Sequence, residues 1–407
     1  MPPINPTRLL ETLHTLRTFG AVGTGVVRPS FSPADMAARR WLSAHMQEAG
    51  LDPQIDGVGN VLGRSRNRGK TLLVGSHADT QPTGGWLDGA LGVGYGLEIV
   101  RTLAEDPTTR HLAVDAVAWI DEEGTYLGCL GSRSFCGELT PEAMTAATSA
   151  AGQRLTDAIH AAGLTGVPTA RLDPERYVGY LEAHIEQGPY LEEQGNKIGV
   201  VTSIVGIRGC RIHFRGQQNH AGTTPMARRQ DAGVALIDFA YHLRQAFQAS
   251  AGPTTVWTIG RVTFSPGAPS IIPGDAEMLL QYRDPEEERL EHLTRTVQAL
   301  ADTANRTGPV VVTVTPNRVP IQPTRMDSSL QQQLADAAER HAPGAWVRMP
   351  SAAGHDPMVL SAHLPCGMLF VPSIGGISHD FAEDSTEADI ILGCQVLADA
   401  VVAILKQ

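Results

Sequence analysis

Five short runs carry side chains able to bind a cation or move a proton. They are Gly75-Ser-His-Ala-Asp-Thr80, Gly84-Gly-Trp-Leu-Asp-Gly89, Asp121-Glu-Glu-Gly124, Glu182-Ala-His-Ile-Glu-Gln-Gly-Pro189 and Ser378-His-Asp-Phe-Ala-Glu-Asp384. Singly, each has an ordinary explanation. A lone His77 or His379 is usually structural, Asp88 before Gly89 could cap a helix, and Glu122 with Glu123 could be a solvated edge. Together they describe chemistry. Imidazoles and carboxylates at the ends of separate strands suit a borderline metal such as zinc, manganese or cobalt. Asp79, two residues after His77, can hydrogen-bond the imidazole and fix its tautomer. Asp88 can bridge two ions. Glu122 beside Glu123 lets one carboxylate bind metal while its neighbour handles a water.

Such groups must be positioned by regular elements. Ser32-Pro33-Ala34-Asp35 reads as a helix start, and Gly50 as its end. Gly59–Gly63 and Thr71–Ser76 read as strands, Gly89–Leu103 as a helix and Val114–Ile120 as a further strand. This alternation indicates an α/β domain with a mostly parallel sheet. Functional groups converge on the loops that follow the strands of such a sheet. From about residue 211 the texture changes: strand 211–215, helix 231–248, strands 254–264 and 276–283, helix 285–306 and strand 310–314. The order βαββαβ matches a ferredoxin-like unit. A helix over 328–341 follows, and then strand and loop signals to the C-terminus. The expected organisation is a catalytic domain in two segments, 1–210 and 326–407, with a smaller domain inserted at 211–325.

With Asn219-His-Ala-Gly-Thr-Thr-Pro-Met226 and Ile377-Ser-His379 added, the sequence resembles the hydantoinase/carbamoylase group of M20 metallopeptidase-like amidohydrolases. That group includes N-carbamoyl-L-amino acid hydrolases, β-ureidopropionases and allantoate amidohydrolases, and the resemblance covers nearly the whole chain. It implies two divalent ions per subunit: one on His77, Asp88 and His184, the other on Asp88, Glu123 and His379. It implies Glu122 as general base, Asp79 orienting His77, and His220 stabilising the oxyanion. Gln187, Asn219, Ser270 and Arg283 would contact a small ureido or amide substrate, the planar fork of Arg283 suiting a carboxylate. The inserted domain would act as a lid and often as a dimer interface, so a homodimer is expected. Two positions depart from the group's pattern. Ser270 stands where an Asn is common, and Gln281 stands where an acid usually precedes the substrate-binding Arg.

The bulk composition narrows the remaining classes. The net charge is 32 − 43 = −11, which argues against nucleic acid or an anionic membrane as partner. Five scattered cysteines without a CxxC pair support neither a disulfide framework nor a thiolate metal site. The first eight residues lack a leader pattern, and no apolar run approaches the roughly 20 residues that span a bilayer. The cytoplasm is therefore the expected compartment. Three other readings are distinguishable. An M20 aminoacylase or dipeptidase usually carries an acid where His184 stands. A serine or cysteine amidase would need a nucleophile elbow, and no Gly-x-Ser-x-Gly occurs. A binding protein on this scaffold would take up metal without turnover.

Overall fold

Four parallel strands, almost entirely buried, form the centre of the first unit: Cys366–Val371, Tyr177–Ile185, Thr71–His77 and Ala113–Trp119. Burial on both faces explains why Thr71–His77 and Ala113–Trp119 read as near-continuous apolar runs. Antiparallel strands flank them: Ile198–Ile204 beside Cys366–Val371, and Val61–Arg64 then Asp52–Ile55 beyond Ala113–Trp119. The computed structural model describes residues 3–406. Met1 and Pro2, which begin the segment without a leader pattern, lie outside the described residues.

The chain divides into two compact units, Met1–Thr202 with Arg325–Gln407, and Ser203–Thr324. The division falls earlier than residue 211 because a strand runs over Gly206–Arg215, pairing along its whole length with Asp275–Asp284. Gly206 and Gly209 weaken its strand signal in the sequence.

In the first unit, register brings the chemistry to one edge. His77 lies opposite Trp119, and His184 opposite Phe370, so both imidazoles and the 121–123 turn stand at the carboxyl ends of the strands. The helix Pro33–Glu48 starts as its sequence suggests, with the Ser32 side chain accepting from Asp35 N–H. The helix Ala90–Glu105 starts at Gly89, whose φ is 65°. A Cβ there would stand 2.5 Å from the His77 ring, so only glycine lets the helix approach the site. The strand after it ends at Trp119 rather than Ile120, because the Asn60 Oδ1 takes the Ile120 N–H at 3.1 Å and Asp121 turns at φ 58°.

The C-terminal helix Glu387–Leu405 corrects one expectation. Among the described residues it is long and apolar enough to cross a membrane by length and composition. Its Ile390, Val396, Leu397 and Val401 instead pack with Leu91, Val74, Leu181 and Leu369 in the core.

The second unit holds a four-stranded antiparallel sheet in the order Val256–Ser265, Asp275–Asp284, Gly206–Arg215, Val311–Pro316. The helices Ala232–Ser250 and Glu287–Thr307 bury Phe239, Leu243, Leu290 and Val297 against Ile212, Phe214 and Met278. A short ladder joins Asn219–His220 to Ile271–Ile272.

Candidate metal centre

Asp88 stands between three imidazoles. Its Oδ1 lies 3.0 Å from His184 Nε2 and 3.4 Å from His77 Nε2, and its Oδ2 lies 3.3 Å from His379 Nε2. Glu123 Oε1 lies 3.8 Å from His379 Nε2, and Glu122 Oε2 lies 3.8 Å from His77 Nε2. The side chains therefore form two groups that could each hold an ion, His77/Asp88/His184 and Asp88/Glu123/His379, sharing Asp88.

Hydrogen bonds fix the tautomers of the deep pair. His184 Nδ1 meets the Ile185 carbonyl at 2.9 Å, and His77 Nδ1 meets the Asp79 carbonyl at 3.1 Å. A carbonyl only accepts, so in the neutral rings Nδ1 carries the proton and Nε2 turns a lone pair toward Asp88. The Gly89 N–H also points at His184 Nε2, at 3.0 Å. Asp79 thus reaches His77 chiefly through its main chain, not through the carboxylate expected from the sequence, whose nearer oxygen is 3.7 Å from Nδ1. That carboxylate is committed elsewhere: Oδ2 accepts from Ser30 Oγ and from Glu123 N–H.

The electrostatics favour a cation. Burial penalises charge on His77, yet Asp88, Glu122 and Asp79 outweigh it and hold the imidazole well above its ordinary range. Burial also opposes a charged Asp88, but the His184, His379 and His77 rings, in the protonated form that donates from Nε2, keep it well below the usual carboxylate range. Burial pushes Glu122 well up and Glu123 up to about 7. Lone-pair nitrogens facing carboxylates, crowded by further acids, are a donor set that positive charge completes. Two buried oxygens, Glu123 Oε1 and Asp79 Oδ1, lack a hydrogen-bond partner among the described residues. For Glu123 an ion in the outer group would supply one.

Gln187, expected to contact substrate, lies on the outer group itself. Its Nε2 donates to Asp88 Oδ2 at 3.2 Å and to Ser378 Oγ at 3.1 Å. The other four sequence-derived residues belong to the second unit. His220 Nδ1 accepts from Gly222 and Thr223 N–H, which leaves its Nε2–H as a hydrogen-bond donor. Asn219 Oδ1 accepts the His220 N–H, and the Ser270 carbonyl accepts Ala221 N–H. Gln281 Oε1 accepts from both Nε and Nη2 of Arg283 at 3.1 Å, so the carboxamide receives the guanidinium as an acid would.

Sequence reasoning missed three groups. Gln81, one residue beyond the Gly75–Thr80 run, donates to Glu123 Oε2 at 2.6 Å. Glu383 lies inside the Ser378–Asp384 run, but only its spacing of four from His379 hints at a role. A third buried group, Glu182/His184/His355, lies behind the site. There Ser76 and Tyr180 donate to Glu182, and Ser351 meets His355. His184 is already engaged by Ile185 and Asp88, so this group is a hydrogen-bonded layer and not a further ion site.

Residues 73–403 match Peptidase family M20/M25/M40. The chain is 35% identical over 400 residues to an N-carbamoyl-L-amino acid amidohydrolase of Geobacillus stearothermophilus, covering 96% of each chain. It is 32% identical to the allantoate amidohydrolase of Escherichia coli (strain K12), covering 95% of each. The crystal structure of an amidase (hydantoinase/carbamoylase family) from Burkholderia phymatum is similar at a TM-score of 0.95, with 51% identity over 100% of this chain and 99% of that one.

Proposed function

Since this chain belongs to Peptidase family M20/M25/M40, we propose that it hydrolyses the carbamoyl C–N bond of an N-carbamoyl amino acid or related ureido acid. The products are an amino acid, ammonia and carbon dioxide. The carrying observation is Asp88 shared by two candidate ligand groups, with Glu122 beside them and required by neither. The names of the similar Geobacillus and Escherichia enzymes support a carbamoyl or ureido substrate.

In this reading His77, Asp88 and His184 hold one divalent ion, and Asp88, Glu123 and His379 hold a second, of zinc, manganese or cobalt. Such ions supply Lewis acidity at the scissile carbonyl and acidify water. Glu122 takes the proton of the attacking water and returns it to the leaving nitrogen. Burial, with Glu123, Asp356 and Asp79 nearby, raises the Glu122 carboxyl and so favours its holding the proton it takes. Asp79 orients His77 through its carbonyl. The Nε2–H of His220 donates to the oxygen on which negative charge develops. Gln187, Asn219, Ser270 and Arg283 contact the substrate, with Arg283 binding its carboxylate in the orientation set by Gln281. The enzyme works on small molecules as a cytoplasmic homodimer. Five free cysteines suit a reducing compartment, and light scattering of the purified chain checks the dimer.

The test is ammonia release by metal-loaded protein from N-carbamoyl amino acids and allantoate, beside acetate and formate release from N-acetyl and N-formyl amino acids. Turnover should favour the carbamoyl or ureido compounds. Turnover confined to the acetyl compounds would replace this reading with an aminoacylase.

A further inference from the structure

We propose that Glu383 is a positioning residue that sets the separation of Asp88 and His379 and so builds the outer metal group. The inference rests on the two-metal reading above. Glu383 is buried at 1% exposure and ties together two loops 295 residues apart in sequence. Its Oε1 accepts from the N–H groups of Asp88 at 3.0 Å and Leu87 at 3.3 Å. Its Oε2 accepts from the hydroxyl of Ser378, the neighbour of His379, at 2.8 Å. One planar carboxylate thus fixes the backbone under the shared ligand and the residue beside the outer one.

Two further observations point the same way. A Cβ on Gly85 would stand 1.9 Å from Glu383 Oε1, so the glycine keeps open the space the carboxylate occupies. Asp384 Oδ1 accepts from Trp86 Nε1 at 3.2 Å, a second tie between the same loops. His379 needs such support, because its φ of 55° is a left-handed conformation unfavourable for a residue with a Cβ. His77 and His184 need less, being held by regular strands. Glu383 should therefore act mainly on the outer group, where it supports both Asp88 and the His379 loop, and less on the deep one, which it reaches only through Asp88.

The experiment measures zinc affinity of the full chain by competition with a chromophoric chelator, for wild type, Glu383→Ala, Glu383→Gln and Gly85→Ala. Metal-free thermal unfolding serves as the folding control. Wild type should bind two ions. Glu383→Ala should weaken one of them by about 10- to 100-fold, the usual effect of removing a group that orients a ligand, and change the other only a few-fold. Glu383→Gln should recover part of the loss, since its amide oxygen still accepts both backbone N–H groups. Gly85→Ala should reproduce the loss with Glu383 intact, which keeps the test alive should Glu383→Ala fail to fold. Wild-type affinity for both ions in folded Glu383→Ala, or an equal loss at both sites, overturns the proposal alone. Failure of wild type to take up two ions removes the two-metal reading and this proposal with it.

Discussion

His77 and His184 stand on strands and are 1% exposed, whereas His379 stands on a loop and its side chain is half exposed. The deep pair is held by the sheet itself, with each Nδ1 fixed by a carbonyl within two residues. The outer pair depends on other side chains: Gln81 for Glu123, and Gln187, Ser378 and Glu383 in the loop around His379. Regular structure makes a ligand rigid without help, while a loop ligand needs props contributed from elsewhere in the chain. The deep group should accordingly bind its ion more tightly, and the outer group should respond to substitutions that touch no ligand.

The largest effect expected is at Glu122, which belongs to neither group. Glu122→Gln should lower kcat by about 10²- to 10⁴-fold, the scale of a general base, with both ions retained. Glu123→Gln should instead release the outer ion. Metal analysis of the two variants checks the pair, and the opposite pattern would exchange their roles. Next comes the contrast between the groups. His184→Ala should cost the deep site more than the roughly 100-fold upper scale for indirect groups, while His379→Ala should empty only the outer site. Equal losses in both variants, read as zinc stoichiometry, would erase the distinction. A smaller effect is expected for Gln81→Ala, which should weaken outer-ion binding by about 10-fold through Glu123 and spare the deep ion. The smallest lies in the second unit. Ser270→Asn should lower KM for simple N-carbamoyl α-amino acids by about two- to tenfold, the worth of one added hydrogen bond. An unchanged or higher KM would remove Ser270 from substrate choice.

The same comparison explains what could be read from the sequence. His77, Asp88 and Glu123 follow or end strands whose apolar runs are visible in the chain, so their convergence was legible; His184 ends Tyr177–Ile185, a strand the sequence pattern does not show, and was legible by its motif. His379 was legible by its motif, not by any element. The props were not. Glu383 meets Asp88 across 295 positions and Gln81 meets Glu123 across 42, separations that no local pattern reports. Nor does a residue type reveal that Asp79 acts through its carbonyl. In the fold, the start of Gly206–Arg215 was hidden because Gly206 and Gly209 carry no strand propensity. The helix Glu387–Leu405 is masked in the sequence because three charges among its 19 residues, Glu387, Asp389 and Asp399, interrupt the apolar run.

Two-metal catalysis is tested most simply by titrating turnover with metal. Protein stripped exhaustively by chelation is titrated with zinc, manganese or cobalt while ammonia release from an N-carbamoyl amino acid is followed. No turnover without metal, rising to a plateau at two equivalents per chain, is the result expected. Full turnover by the metal-free protein would mean that no ion takes part in catalysis.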